Sequence, residues 1–370
     1  MKRLKICLIS LTIPPDKQDG AAKFFRGIYE YLKKKGHHVI LITGKWGVEL
    51  TDPNIIQVKI IKKRFMWMPQ FTMGVIKLLR SQEFDIVHGN APKGTLPIIL
   101  SRINKFITTI HDLGPFETKF SLIPIEKNLI KYVVKKATNI TTCSESIRRQ
   151  VKHYNPSVSL DKIVNLYSAI EEKYKPFPKE ASALKKKLNI SGPVLLYIGR
   201  IAHYKGIEDI INAYIIAKKE IPDITLVVGG KPDFTMKAKY EMWKRKYKDI
   251  KFVGFLSEKD IPVYYTMGDI FITYSHASEG FGLTPIEAIA CGTPVICSLL
   301  PAYKEVLKNN AIFVPPKKPL LLAQKIVYYL KNPKEREKII KEAQKFIQRY
   351  TWDEVGKKLE KIYYDFNNRS

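Results

Sequence analysis

Short apolar runs alternate with amphipathic stretches along this chain, in two successive series. The first is KICLISL (5–11), VILIT (39–43), DIVHG (85–89), FITTI (106–110) and NITTC (139–143). The second is VLLYIG (194–199), ITLVVGG (224–230), IKFVG (250–254), DIFIT (269–273), PVICS (294–298) and AIFV (311–314). Runs that stay apolar instead of alternating belong to strands buried on both faces, the mark of a parallel sheet covered by helices. Between the first two runs Ala21, Phe24, Phe25, Ile28, Tyr31 and Leu32 form one helical face, and Gly36 is placed to stop the helix. Stretches 207–220 and 285–291 are the clearest helices of the second series. Two βα series in one chain of 370 residues predict two doubly wound α/β domains.

The boundary is expected in EEKYKPFPKEASALKKKLNISGP (171–193), which is charged and rich in proline. That gives a first domain over 1–170, a linker over 171–192 and a second domain over 193–345. After residue 320 the pattern is helical with a break near Pro333. A closing stretch, 346–370, places Trp352, Val355, Leu359 and Ile362 at helical spacing.

The formal net charge is +28, with a pI near 9.7. Such an excess suits nucleic acid, an anionic membrane or small anionic substrates. The lysines are spread along the whole chain, which equally fits lysine as the default polar residue. Cys7, Cys143, Cys291 and Cys297 form no C-x-x-C pair and read as buried thiols of a reducing compartment. The opening MKRLKICLISLTIPP has the basic-then-apolar order of a signal peptide. It is short and lacks a small-residue cleavage site, so a first β-strand is the better reading. No apolar run has the length to span a bilayer. A cytoplasmic chain is expected, soluble or peripheral to a membrane.

Ligands of open α/β sheets sit at the carboxyl ends of the strands, and between two such domains a cleft is the default site. In YIGRIAHYKGIEDI, Arg200 and Lys205 lie on a strand-to-helix loop, where a guanidinium fork and an ammonium suit a diphosphate. In a chain this basic they also read as two ordinary surface cations. SHASEGFGLTPIEAIACGTPVICS (275–298) sets Glu279 in a loop and Glu287 on a helix. Thr284 is a good N-cap, Pro285 a good first residue, and Glu287 completes the S/T-x-x-E capping box. The alternative is that the N–H groups of 282–284 receive a phosphate and Glu287 a ribose diol.

EGFGLTPIEAIACGTPVI closely resembles the E-x7-E signature of retaining glycosyltransferase family 4, on the GT-B fold. GRIAHYKG resembles that family's Arg/Lys motif, and IPPDKQDGAAKFFRGIYEYLKKKGHHVILIT its N-terminal glycine loop and first helix. DIVHGN, TIHDLG, TTCSESIRR, NLYSAIEEKYKPF and the aromatic closing helix follow in order, so the resemblance covers essentially the whole chain. It implies two Rossmann-like domains facing across a cleft, the first binding acceptor and the second nucleotide-sugar, with the closing helix packed back on the first. The implied catalytic set is Glu279, His111, Arg200 and Lys205. Donor binding extends over Gly20, Gly199, Arg200, Lys205, Glu279, Gly280, Phe281, Gly282, Leu283, Thr284 and Glu287. Within it Arg200 and Lys205 would hold the diphosphate, Glu279 the sugar hydroxyls and Glu287 the ribose, with His111 near the transferred sugar and Gly20 in the loop over the phosphates. The chain departs from the pattern at Asp19-Gly20, where a double glycine is usual, and at Ser168-Ala169, where Asn-Gly is common.

No D-x-D is present and the histidines lack metal-ligand spacing, so leaving-group stabilisation is expected without metal or cofactor. The implied reaction is retaining hexosyl transfer from a UDP- or GDP-sugar to an acceptor hydroxyl. Around residues 59–80, Lys62, Lys63, Arg64 and Trp67 mix cations with aromatics, which suits an anionic membrane surface and a lipid-linked acceptor. The stretch 119–136 has a similar blend. Packed aromatics beside solvated lysines would read the same way. A soluble acceptor, a GT-B nucleotide-sugar epimerase and, more remotely, a nucleic-acid-binding protein are the competing functions; nothing resembles a nucleic-acid recognition motif.

Overall fold

The computed structural model describes residues 2–16, 19–63, 66–117, 123–277 and 279–368. The chain divides into two compact units, Met1–Ala169 with Tyr350–Ser370, and Ile170–Arg349. Among the described residues the first unit holds β1 (Lys5–Ile9), β2 (His38–Gly44), β3 (Ile55–Val58), β4 (Ile86–Asn90), β5 (Ile107–Ile110), β6 (Asn139–Thr142) and β7 (Ile163–Asn165). They form one parallel sheet in the order β3-β2-β1-β4-β5-β6-β7. The second unit holds β8 (Val194–Ile198), β9 (Thr225–Gly229), β10 (Lys251–Gly254), β11 (Ile270–Thr273), β12 (Val295–Ser298) and β13 (Ile312–Val314). Their order is β10-β9-β8-β11-β12-β13, again all parallel. Both sheets are doubly wound: strand order reverses between β1 and β4, and between β8 and β11. Chains diverge to opposite faces at such points and leave a crevice at the strand ends.

β3 and β7 were not expected. Both are short, and most of their residues are only half buried. An edge strand packed on one side needs no continuous apolar run, so the pattern that marks the central strands is missing there.

The helix Gly20–Lys34 is capped by Asp19, whose Oδ1 accepts from the Ala22 N–H at 2.9 Å. It buries Ala22, Phe24, Phe25, Ile28, Tyr29, Tyr31 and Leu32. The closing helix Trp352–Asn368 packs on it within the first unit. Trp352 stacks on Phe24 and Tyr31 with ring centroids 5.7 and 6.2 Å apart. The approach needs two glycines. A Cβ on Gly27 would meet Trp352 at 2.0 Å, and one on Gly356 would meet Tyr31 at 2.3 Å.

The segment 171–192, expected as a linker, lies inside the second unit. Its proline starts a helix, Pro178–Lys187, that packs against the helix Ile261–Met267. The Phe177 N–H donates to Thr266 Oγ1 at 3.2 Å. Proline is favoured in the first helical turn, where its missing N–H costs nothing, so it marked a helix start and not a linker. The chain passes back to the first unit at Tyr350, after the helix Pro333–Phe346 and a short 3-10 turn, Ile347–Tyr350.

Candidate active site

In the second unit, β8 and β11 are adjacent at the point where strand order reverses, so their carboxyl-terminal loops emerge side by side. The β8 loop carries Gly199, Arg200, Tyr204 and Lys205. Gly199 lies against the next loop so tightly that a Cβ on Gly230 would meet its carbonyl oxygen at 1.8 Å. Tyr197 Oη donates to the Arg200 carbonyl at 2.8 Å and fixes the turn. The Arg200 side chain is exposed and its Nη2 donates to Tyr204 Oη at 2.8 Å. The Lys205 ammonium sits over the Tyr204 ring, 5.1 Å from its centroid.

The β11 loop brings Glu279 to that ammonium. Lys205 Nζ donates to Glu279 Oε1 at 2.5 Å, and Ser275 Oγ donates to the same oxygen. Glu279 Oε2 has no hydrogen-bond partner among the described residues and stays available as an acceptor. Burial of Lys205 works to lower its pKa, but the charge of Glu279, Tyr204 and the Glu279 hydrogen bond outweigh it, and the net shift is upward. The ammonium is therefore held charged in a site where little water reaches it.

The helix after this loop begins two residues earlier than the capping box requires. It runs Leu283–Ala290 with Gly282 at the N-cap, in the left-handed region (φ 84°), and no side chain caps it. Thr284 is thus inside the first turn and Glu287 too far along to close a box with it, which corrects the capping expectation. Glycine is required at 282 twice over, for its φ and because a Cβ would meet Tyr303 at 2.5 Å. Without a side-chain cap, the first-turn N–H groups of Leu283 and Thr284 suit an anion. Phe281 is buried in the core, so any part it takes in a site comes through its backbone. Glu287 is also buried, at 4% exposure, and Tyr265 Oη donates to its Oε2 at 3.0 Å. Burial, then the Glu287 charge, push the Tyr265 phenol well above its usual range, so it stays protonated and donates. The same two causes push the Cys291 thiol up to about 12.

In the first unit, His111 follows β5. Its Nε2 donates to Asn90 Oδ1 at 2.8 Å, while Asn90 Nδ2 donates to Ser10 Oγ at 2.8 Å. The Phe24 ring edge packs on the imidazole at 5.6 Å. Burial lowers the His111 pKa to about 4 against the pull of Asp112 and Asp19, so the ring is neutral near pH 7. Gly20 is the exposed first residue of its helix, directly after the capping Asp19. The Oδ1 of the acid at position 19 thus caps its own helix. Lys62 and Lys63 are exposed, and Trp67 is half buried against Trp46 at 6.0 Å. Arg64 lies outside the described residues.

Residues 18–172 match the family model described as Glycosyltransferase Family 4, and residues 179–346 match Glycosyl transferases group 1. The chain belongs to glycosyltransferase family 4. The alpha-monoglucosyldiacylglycerol synthase of Acholeplasma laidlawii is 25% identical to this glycosyltransferase, over 92% of each chain. Sucrose-phosphate synthase from Thermosynechococcus elongatus shares its fold with a TM-score of 0.84 at 21% identity, covering 100% of both chains. HepE from Anabaena, in a crystal structure with UDP-glucose, gives a TM-score of 0.81 at 17% identity, covering 98% of this chain and 100% of that one. The two parallel-sheet units are those of the GT-B fold.

Of the residues singled out in this glycosyltransferase from sequence, Gly199, Arg200, Lys205, Glu279, Gly280, Phe281, Gly282, Leu283, Thr284 and Glu287 all belong to the second unit, on the β8 and β11 loops and the helix that follows. Gly20 and His111 belong to the first. Five residues with such contacts had not been singled out: Ser275 on Glu279, Tyr265 on Glu287, Asn90 on His111, and His276 paired with Asp209. Ser275 and His276 lie inside the quoted motif, where their spacing carried no distinct signal. Tyr265 sits on a separate helix with nothing in sequence to tie it to Glu287.

Proposed function

We propose that this glycosyltransferase moves a hexosyl unit from a UDP- or GDP-sugar to an acceptor hydroxyl with retention of anomeric configuration. The observation that carries this is the Lys205–Glu279 contact of 2.5 Å beside an uncapped helix N-terminus. A cation for phosphate and a carboxylate for hydroxyls are adjacent, as a sugar-diphosphate demands. Arg200, Lys205 and the N–H groups of 282–284 would stabilise the departing diphosphate, which supports transfer without a metal. Glu279 Oε1 is already bound twice, so its carboxylate is better suited to accept from sugar hydroxyls through Oε2 than to attack the anomeric carbon. The proposed step is same-face attack: the acceptor oxygen bonds to the anomeric carbon as the bond to the diphosphate breaks, and a leaving phosphate oxygen takes the acceptor proton. Glu287, oriented by Tyr265, would bind the ribose, and neutral His111 would lie near the transferred sugar.

The test is a thermal-shift screen of nucleotide-sugars, then transfer assays of Arg200→Ala and Lys205→Ala. Turnover should fall by about 100-fold or more in each. Near-wild-type turnover in both would refute the clamp. Conversion of a nucleotide-sugar incubated alone into its epimer would favour the epimerase instead.

A lipid-linked saccharide or glycolipid precursor is the proposed acceptor class. Met66 and Met73 are 50% and 70% exposed beside exposed Lys62 and Lys63, a mixture that fits an anionic bilayer surface. The Acholeplasma relative is named for a glycolipid product. No helix among the described residues is long and apolar enough to cross a membrane. Flotation with anionic liposomes should retain the wild type and lose Lys62→Glu/Lys63→Glu. Absence of wild-type binding at low salt would count against a membrane-bound acceptor.

A further inference from the structure

The Lys205–Glu279 contact joins two loops from different strands, and something must hold those loops in register. Two further ties lie beside it. The His276 N–H donates to the Tyr204 carbonyl at 2.7 Å, so the β11 loop hydrogen-bonds through its backbone to the residue preceding Lys205. The His276 ring then reaches past the loop to the next helix, Ile207–Lys218, where Nε2 meets Asp209 Oδ2 at 2.7 Å. Gly206, in the left-handed region at φ 64°, gives the space for this: a Cβ there would meet the Tyr274 carbonyl at 2.1 Å and His276 Nε2 at 2.9 Å. The imidazole is thus boxed in by Gly206, the Tyr274 ring at 6.4 Å and Asp209, with only 23% of its side chain exposed. Tyr274 is itself anchored, its Oη donating to the Pro315 carbonyl and accepting from the Lys318 N–H at 3.2 Å.

We infer that His276 and Asp209 form a positioning pair that holds the Glu279 loop on the Arg200–Lys205 loop. This rests on the proposed function and adds to it the residues that set the distance between the sugar-binding carboxylate and the phosphate-binding ammonium. Neither residue is assigned a contact with donor. A nucleoside diphosphate without its sugar needs only the cations and the helix N-terminus, whereas the sugar also needs Glu279 at the right place. Losing the pair therefore acts on the sugar-dependent step and spares binding of the diphosphate. A shift of about 1 Å at a reacting centre costs on the order of 100-fold in rate.

The experiment measures affinity for UDP and GDP by calorimetry, and donor hydrolysis by release of nucleoside diphosphate from UDP-glucose and GDP-mannose, with water as acceptor. It compares wild type with His276→Ala, His276→Gln, Asp209→Ala and His276→Ala/Asp209→Ala. Diphosphate affinity should stay within about threefold while hydrolysis in His276→Ala falls by roughly 30- to 100-fold. The amide of His276→Gln should recover most of the rate, and the double variant should be no worse than the worse single one, because both remove the same contact. Should His276→Ala fail to fold, Asp209→Asn makes the same comparison, with diphosphate affinity kept and hydrolysis reduced about tenfold. Full hydrolysis in His276→Ala, or loss of diphosphate affinity in step with hydrolysis, overturns the pair while leaving the proposed function standing. A wild-type chain that binds neither UDP nor GDP and hydrolyses neither donor overturns the proposed function, and the pair with it.

Discussion

His88 offers a sharp test of how the first unit is held together. It lies in the centre of β4 with 0% exposure. Its Nδ1 pairs with Tyr363 Oη at 2.7 Å and its Nε2 with Thr109 Oγ1 at 2.8 Å. A neutral imidazole satisfies this arrangement, with one nitrogen donating and the other accepting from a hydroxyl. Protonation would make both nitrogens donors, force the hydroxyl that now donates to the ring to turn its own proton away, and bury a charge without a counter-ion. Burial, and then His111, hold the His88 pKa down to about 3 from 6.5.

The sign follows by linkage. Between about pH 3 and 6.5 the unfolded chain carries a proton on this residue that the folded chain lacks, so stability rises with pH across that window. There is almost no penalty above pH 7, about 2 kcal/mol at pH 5 and about 3 kcal/mol at pH 4, a slope approaching 1.4 kcal/mol per unit. Other groups titrate too, so the measurement is the difference between wild type and His88→Gln. Urea unfolding at pH 7, 6 and 5 would be followed by fluorescence in a Trp243→Phe background, where the remaining tryptophans, Trp46, Trp67 and Trp352, all belong to the first unit. The gap in unfolding free energy should close by about 2 kcal/mol from pH 7 to pH 5. Parallel pH dependences for the two proteins would show that His88 is not held neutral, and the reasoning would fail.

Gly230→Ala should be far more damaging than Gly254→Ala, although both glycines have positive φ. At 230 a Cβ would meet backbone 1.8 Å away, whereas at 254 nothing lies within 4 Å. Losses of about 3 kcal/mol or more and about 1 kcal/mol respectively, read as melting shifts of the second unit, are expected. Tyr265→Phe should raise the donor KM roughly tenfold with kcat nearly unchanged, since it loosens Glu287 and leaves Lys205 and Glu279 alone; an equal fall in kcat would contradict a ribose role. Trp352→Ala should cost the first unit about 3–5 kcal/mol, and Trp243 fluorescence should report an unchanged second unit.

The doubly wound plan was legible because each central strand is buried on both faces and so had to be apolar throughout. Leu8, Ile9, Leu195 and Leu196 are all at 0% exposure. β3 and β7 escaped because edge burial asks less of the sequence. The candidate site was legible in part, since glycines at 199 and 282 and the cations at 200 and 205 follow strand ends, where ligands of open α/β sheets bind. Contacts made across the fold were not. Asn90 and His111, like Tyr265 and Glu287, are brought together by sheet order and helix packing, for which local pattern has no record.

Glu287 shows how local chemistry and a site compete for one residue. Thr284-Pro285-x-Glu287 has every residue of a capping box, and a free peptide of that sequence would favour it. The folded unit instead starts the helix at Leu283, because Gly282 must adopt φ 84° where it packs on Tyr303. Two residues of shift put Glu287 at the fifth helical position instead of the third, about 200° around the axis from where a box would use it, and it lies buried in the protein, where Tyr265 meets it. The carboxylate is then unavailable to the N-terminus of its own helix, whose first N–H groups are left without a side-chain cap. A cap from Glu287 would have occupied those N–H groups; without it they are left to an anion, as the proposed function requires. The tyrosine at 303 is therefore as much a determinant of the proposed donor site as the glutamate itself. Shrinking it in Tyr303→Leu should let the helix start relax toward the capping box, weakening diphosphate binding by about tenfold without touching any residue that would contact the ligand. Unchanged affinity for UDP and GDP in that variant would show that the helix start is fixed by something other than the Gly282–Tyr303 contact.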